Sequence, residues 1–211
     1  MGAIRETGAL AIVRVRAQRD LLRVVEALRG GGLTCVEITM NTPGVLETIR
    51  EAASSFPDLT LGAGTVVGAT DAKNAISAGA QFLVTPILAP EVIRAAAARS
   101  CPVICGAMTP TEIYSAYTLG ADLVKVFPAD VLGAAFLRAM RGPFPEIPLA
   151  PTGGINSETA PAYIQAGAAA VCAGGWLVND HAIVSQEYEE ITRRARALCL
   201  AVEEARKAGV R

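Results

Sequence analysis

Lys125 stands in the apolar run Leu123-Val124-Lys125-Val126-Phe127, in a chain that has only three lysines. The other two, Lys73 and Lys207, lie in polar stretches with a helical pattern, and sixteen arginines carry the remaining basic charge. An ammonium placed where an apolar residue belongs is costly unless it is paired, and the usual response is a lowered pKa. A neutral lysine is a nucleophile that can form a Schiff base with a carbonyl compound. The alternative is a core lysine paired with a carboxylate. Glu37 is the natural partner, being flanked by apolar residues in Cys35-Val36-Glu37-Ile38-Thr39. Either the two form an ion pair, or the carboxylate moves protons for Schiff-base chemistry at the lysine. Arg14 closes the run Ala11-Ile12-Val13-Arg14 and suits an anionic substrate group through paired hydrogen bonds, or else a salt bridge to Glu37.

Glycine-rich turns supply a second signal. Thr152-Gly153-Gly154 and Gly174-Gly175 each follow a short apolar run. Such turns let backbone N–H groups approach a ligand closely, and barrels often hold a phosphate there near the N-terminus of a short helix.

The elements that must position these residues alternate along the chain. Strand-like runs occupy 9–15, 33–38, 59–63, 81–85, 102–105, 122–127, 147–151 and 169–173. Amphipathic segments such as Asp20 to Leu28 and Pro110 to Leu119 separate them, and a long charged-and-apolar helix from Gln186 to Ala208 ends the pattern. Strand–helix alternation implies βαβ units and a parallel sheet. Eight units in 211 residues predict a single-domain (β/α)8 TIM barrel over residues 1–211. Gly30-Gly31-Gly32, Gly79, Gly120 and Gly167 each sit between a helical run and a strand, where a helix ends in the left-handed conformation. An open doubly wound sheet is disfavoured, because no G-x-G-x-x-G follows the first strand. In a barrel the strand ends form the active site, which gathers Arg14, Glu37, Thr65, Thr85-Pro86, Lys125 and both glycine turns at one end.

Composition excludes several roles. Nineteen basic and twenty acidic residues nearly cancel, and no basic stripe or aromatic cluster suits nucleic acid. No long uncharged apolar run and no secretion-signal pattern are present, so the expectation is a soluble cytoplasmic protein with no membrane partner. Five cysteines at irregular spacing read as reduced thiols. With one histidine, His181, they make a poor zinc set, and no cofactor or metal is expected. Lys73 and His181 read as surface residues, Trp176 as packing near the barrel rim, and Glu189-Glu190 with Arg193-Arg194 as i,i+4 helix partners.

Taken in order, Ile12-Val13-Arg14, Val36-Glu37-Ile38-Thr39, Gly62-Ala63-Gly64-Thr65-Val66, Val84-Thr85-Pro86, Met108-Thr109-Pro110-Thr111-Glu112, Lys125-Val126-Phe127-Pro128-Ala129 and Pro151-Thr152-Gly153-Gly154-Ile155 resemble the 2-keto-3-deoxy-6-phosphogluconate (KDPG)/4-hydroxy-2-oxoglutarate (KHG) aldolase family along nearly the whole chain. The resemblance implies a metal-free class I aldolase acting on a phosphorylated keto acid, and a homotrimer. It implies Lys125 as the Schiff-base residue and Glu37 as the acid/base. Arg14, Thr65 and Pro86 would hold the pyruvate portion, Phe127 would pack beside the lysine, and Thr152, Gly153, Gly154, Gly174 and Gly175 would surround the phosphate end. Two departures are visible. Asn41 stands where some relatives carry an arginine, leaving that charge to Arg14, and Gly175 stands where many carry a serine. Asn41-Thr42-Pro43 is similar to the 6-phosphogalactonate aldolases, a second reading of the substrate. An isomerase or synthase using Glu37 as a simple base, and a non-catalytic oligomeric scaffold, are the readings outside the aldolases.

Overall fold

The computed structural model describes residues 1–15 and 21–209. Eight parallel strands run in the spatial order β7-β6-β5-β4-β3-β2-β1-β8. They are β1 (Ala9–Val13), β2 (Cys35–Thr39), β3 (Thr60–Gly64), β4 (Phe82–Val84), β5 (Val103–Ala107), β6 (Leu123–Val126), β7 (Leu149–Pro151) and β8 (Val171–Ala173). A parallel bridge between Thr152 and Cys172 brings β7 and β8 together, and the Ala169 N–H donates to the Leu149 carbonyl at 2.9 Å. The sheet therefore curls into the expected (β/α)8 barrel. Each expected strand matches an observed one to within two residues at both ends. The two-residue differences are the end of β1, the starts of β2, β7 and β8, and the carboxyl end of β5, which runs on to Ala107.

Ten helices are described: α1 (Gly2–Thr7), α2 (Leu21–Gly30), α3 (Val45–Ser55), α4 (Ala69–Ser77), α5 (Pro90–Ala97), α6 (Pro110–Thr118), α7 (Ala129–Met140), α8 (Ala160–Gln165), α9 (Asp180–Val184) and α10 (Tyr188–Gly209). Asp20, the expected start of α2, lies outside the described residues. Gly32, Gly79, Gly120 and Gly167 have φ of +88°, +106°, +101° and +93°, so glycine ends α2, α4, α6 and α8 as the punctuation predicts. At α6, Thr109 and Glu112 form a capping box, and Pro110 occupies the first turn, where its missing N–H costs nothing.

The alternation of strand side chains sorts the core into two clusters. One face of the sheet (Ala9, Ala11, Val13, Val36, Ile38, Val124, Val126) packs under the helices. The other face fills the barrel with Leu10, Ile12, Cys35, Phe82, Val84, Ile104, Leu123, Ala150 and Cys172. Ile4 joins this inner cluster, so α1 plugs one end of the barrel. That helix was not read from the sequence, since six residues are too few to show a helical period. Arg206 of α10 fastens it by donating to the carbonyls of Glu6 at 2.6 Å and of Arg5 and Ala169 at 2.8 Å.

Candidate active site

Among the described residues, Lys125 and Glu37 are the charged ones buried in the barrel, at 5% and 1% exposure. Their registers explain why. Glu37 lies level with Ile12 and Gly62, and Lys125 with Gly106 and Ala150, so both occupy the inward-facing set. Neither oxygen of Glu37 has a hydrogen-bond partner. The carboxyl is therefore bonded to neither Lys125 nor Arg14, and neither sequence-level pairing of Glu37 is present. Burial pushes the Glu37 pKa up, and the positive charges of Lys125 and Arg14 offset only part of this. Burial thus favours the protonated form of an acid that stands near a lysine it does not bind directly.

Above them lies a cavity of about 400 Å³. Its wall includes Arg14, Pro86, Lys125, Phe127, Thr152, Gly153, Gly154, Gly174 and Gly175, nine of the eleven residues singled out from the sequence. Glu37 is below this wall, and Thr65 borders it through Arg14. The Arg14 guanidinium donates to the Thr65 hydroxyl at 3.3 Å. Thr65 holds φ +56°, an uncommon value for a β-branched residue. The Phe127 ring centroid is 5.6 Å from the Lys125 ammonium, within cation–π range.

Buried hydroxyls fix the strand ends. Thr42 accepts from the Val15 N–H at 3.4 Å and meets Thr39 at 3.1 Å, tying the end of β1 to that of β2. Thr85 accepts from the Gly106 N–H at 3.0 Å and donates to the Ile87 carbonyl at 2.6 Å, which holds Pro86 in the wall. Around Lys125, the Ala129 N–H donates to the Thr152 carbonyl at 2.7 Å and the Tyr163 hydroxyl to the Ala129 carbonyl at 2.8 Å. These bonds lock the turn after β6 to the turn after β7.

The two glycine turns differ. Gly153 and Gly154 have φ of +106° and +65°, and a Cβ at either would press on Asp130, at 2.9 Å from Oδ1 and 2.7 Å from Cβ. Glycine is required there by the backbone. At Gly175 a Cβ would meet nothing within 4 Å, so glycine there leaves room inside the cavity.

Sequence reasoning missed Ile12, Ile155, Val178, Asn179 and Asp180, which also line the cavity. Asn179 carried a readable signal, since Asn before a short helix is a cap, and it accepts from the Ala182 N–H at 2.8 Å. Trp176 proves to be part of the wall as well as of the rim. Arg194 donates to its carbonyl at 2.7 Å and lies 5.9 Å from its ring. On α10 the expected i,i+4 pair Glu190–Arg194 forms at 2.7 Å, while Arg193 turns to Glu190 at 2.7 Å as an i,i+3 pair. Lys73 and His181 are exposed, as expected. Among the described residues no cluster of His, Cys, Asp or Glu is arranged to hold a metal.

The model of the KDPG and KHG aldolase family matches residues 2–194. The 2-dehydro-3-deoxy-phosphogluconate aldolase of Pseudomonas aeruginosa is 36% identical over 91% of this chain and 88% of its own. Among solved structures, the 4-hydroxy-2-oxoglutarate/2-dehydro-3-deoxyphosphogluconate aldolase from TTHB1 superposes with a TM-score of 0.83 at 37% identity, covering 95% of this chain and 97% of that one. KDPG aldolase from Legionella pneumophila, with pyruvate captured as a covalent carbinolamine intermediate, superposes at 0.83 with 31% identity over 93% and 97% of the two chains.

Proposed function

The chain belongs to the KDPG and KHG aldolase family, and from that premise we propose that it is a class I aldolase that reversibly cleaves 2-keto-3-deoxy-6-phosphogluconate to pyruvate and glyceraldehyde 3-phosphate. The observation that carries this reading is a buried lysine on β6 sharing the barrel floor with a desolvated, unbonded carboxyl, beneath a cavity rimmed by one arginine and two glycine turns.

The chemistry follows from that pair. Lys125 Nζ adds to the C2 carbonyl to give a carbinolamine. Glu37, whose burial favours the protonated form, delivers a proton to the carbinolamine oxygen, which leaves as water. The iminium left on Lys125 draws electrons from the C3–C4 bond. As that bond breaks, the Glu37 carboxylate takes the C4 hydroxyl proton, and the aldehyde departs. The same proton then goes to C3 of the enamine. Water adds to the resulting iminium with its proton passing to Glu37, and pyruvate is released. Arg14 and Thr65 hold the carboxylate of the pyruvate portion, with Pro86 and Phe127 lining its pocket. Thr152 and the N–H groups of Gly153, Gly154, Gly174 and Gly175 receive the phosphate end. Cleavage of 4-hydroxy-2-oxoglutarate to pyruvate and glyoxylate uses the same steps.

The protein acts as a single barrel domain in the cytoplasm and as a homotrimer. Exposed apolar side chains support an interface: Ile87 (58%), Met108 (42%) and Val131 (72%) follow β4, β5 and β6. No described helix is long and apolar enough to cross a membrane. The test of the assignment is Lys125→Ala, assayed by coupling pyruvate release to lactate dehydrogenase. Turnover falls below detection in the folded variant; near-normal turnover contradicts the Schiff-base role.

A further inference from the structure

Two glycines of β3, Gly62 and Gly64, face the barrel interior against the Phe82 ring and the Glu37 carboxyl. A Cβ on Gly62 would strike the Phe82 ring, lying 2.6 Å from Cδ2. A Cβ on Gly64 would overlap Glu37 Oε1 and lie 2.7 Å from Cδ and 3.2 Å from Cγ. Glu37 is level with Gly62 in the ladder, so its side chain leans one step toward the strand ends to reach Gly64. Nothing else fastens the carboxyl, since neither oxygen has a hydrogen-bond partner. With no hydrogen bond to hold it, the carboxyl depends on the space beside Gly64 for its position. Gly64 carries no positive φ, so its backbone does not demand glycine. Its lack of a side chain serves the neighbour.

We propose that Gly64 is a positioning residue for the acid/base step: its bare Cα face is the seat that aims the Glu37 carboxyl at the carbon and oxygen atoms of the adduct on Lys125. The proposal rests on the aldolase reading. It predicts that filling the seat separates two half-reactions. Accumulation of the Lys125 adduct at equilibrium needs only the lysine and the carbonyl, because water can supply, more slowly, the proton that Glu37 gives the carbinolamine oxygen. Exchange of the pyruvate C3 hydrogens with solvent also needs a proton carried between C3 and solvent by a carboxyl within reach.

The experiment compares Gly64→Ala, Gly62→Ala, Glu37→Asp and the double variant Gly64→Ala/Glu37→Asp. Pyruvate adducts are trapped with borohydride and read by mass, and C3 exchange in deuterium oxide is followed by NMR. Gly64→Ala keeps the Lys125 adduct while exchange falls about 100-fold, the low end for a misplaced general acid/base. Gly62→Ala, which crowds Phe82, loses thermal stability but keeps the wild-type ratio of exchange to trapping. Glu37→Asp puts the carboxyl carbon near the present Cγ, where a shift of a few tenths of an ångström relieves the contact. It therefore slows exchange alone but raises it by about fivefold in the Gly64→Ala background, a coupling expected of touching side chains. Gly64→Ala with exchange within about threefold of wild type, or a double variant in which the two losses simply multiply, overturns the proposal. If Gly64→Ala does not fold, the double variant must fold with the exchange rate of Glu37→Asp alone; a double variant that also fails to fold overturns it too. A wild-type protein that forms no adduct instead overturns the aldolase reading.

Discussion

Replacing Glu37 by glutamine keeps the shape of the side chain and removes its titration, and the structure fixes two consequences. The first is catalytic. A positioned general acid/base contributes about 10²–10⁴-fold, equivalent to about 3–5 kcal/mol of transition-state stabilisation at 1.36 kcal/mol per decade. Turnover of the keto acid falls by that factor, while the lysine still reaches its adduct at equilibrium, more slowly, with water supplying the dehydration proton. The second is a pH dependence of stability. The carboxyl is 1% exposed and has no hydrogen-bond partner. Its folded-state pKa is raised above the ordinary value of 4.5, because burial outweighs the charges of Lys125 and Arg14. Between those two values the folded state binds the proton and the unfolded state has lost it, so wild-type stability falls as pH rises through the window. Glutamine has no such proton. Its amide leaves donors unsatisfied at a cost of about 1–3 kcal/mol, but that cost is the same at every pH and cancels in a comparison. The melting temperature of Glu37→Gln relative to wild type is thus higher at pH 8 than at pH 4.5. Paired thermal melts at the two pH values, with the coupled turnover assay at pH 7.5, read both effects. A melting difference that shrinks or stays level as pH rises, or turnover within about tenfold of wild type, refutes the reasoning.

Other substitutions test separate parts of the account. Gly175→Ser places a hydroxyl in open space at the phosphate end, so the variant folds as wild type and lowers KM for the phosphorylated substrate about fivefold, the value of one added hydrogen bond near 1 kcal/mol. KM for unphosphorylated 4-hydroxy-2-oxoglutarate stays unchanged, which steady-state kinetics on both substrates checks. Arg206→Ala removes three bonds to carbonyls of α1 and of the segment before β8, and lowers unfolding free energy by about 2 kcal/mol in denaturant titration without altering trapping of pyruvate on Lys125.

Much of this molecule is legible in its residues, for physical reasons that differ by element. Strands β1 to β8 announce themselves because a barrel strand is buried on both faces and reads as a short aliphatic run between glycine stops. Lys125 and Glu37 stand out for the same reason: a charge inside such a run has no solvent to face. Arg14 and the Thr152-Gly153-Gly154 turn follow once the strand ends are placed together. What escapes is set by three-dimensional contact. The carboxyl of Glu37 leans toward Gly64 rather than pairing with Lys125 or Arg14, and no local pattern encodes that choice. Thr65 is left-handed, and its hydroxyl accepts from Arg14, fifty-one residues away, a pairing no local pattern shows. Asn179 and Asp180 reach the cavity only because the turn after β8 folds back over it. Helix α1 is too short to show a period, and Ile4 is recognised as a plug only once the barrel exists.

The central claim concerns one nitrogen atom in a chain of three lysines. Incubation with pyruvate and borohydride, followed by intact mass and peptide mapping, tests it directly. A single reduced adduct is expected on Lys125, with Lys73 and Lys207 unmodified. Folded protein that gives no adduct, or an adduct on either of the other two lysines, contradicts it.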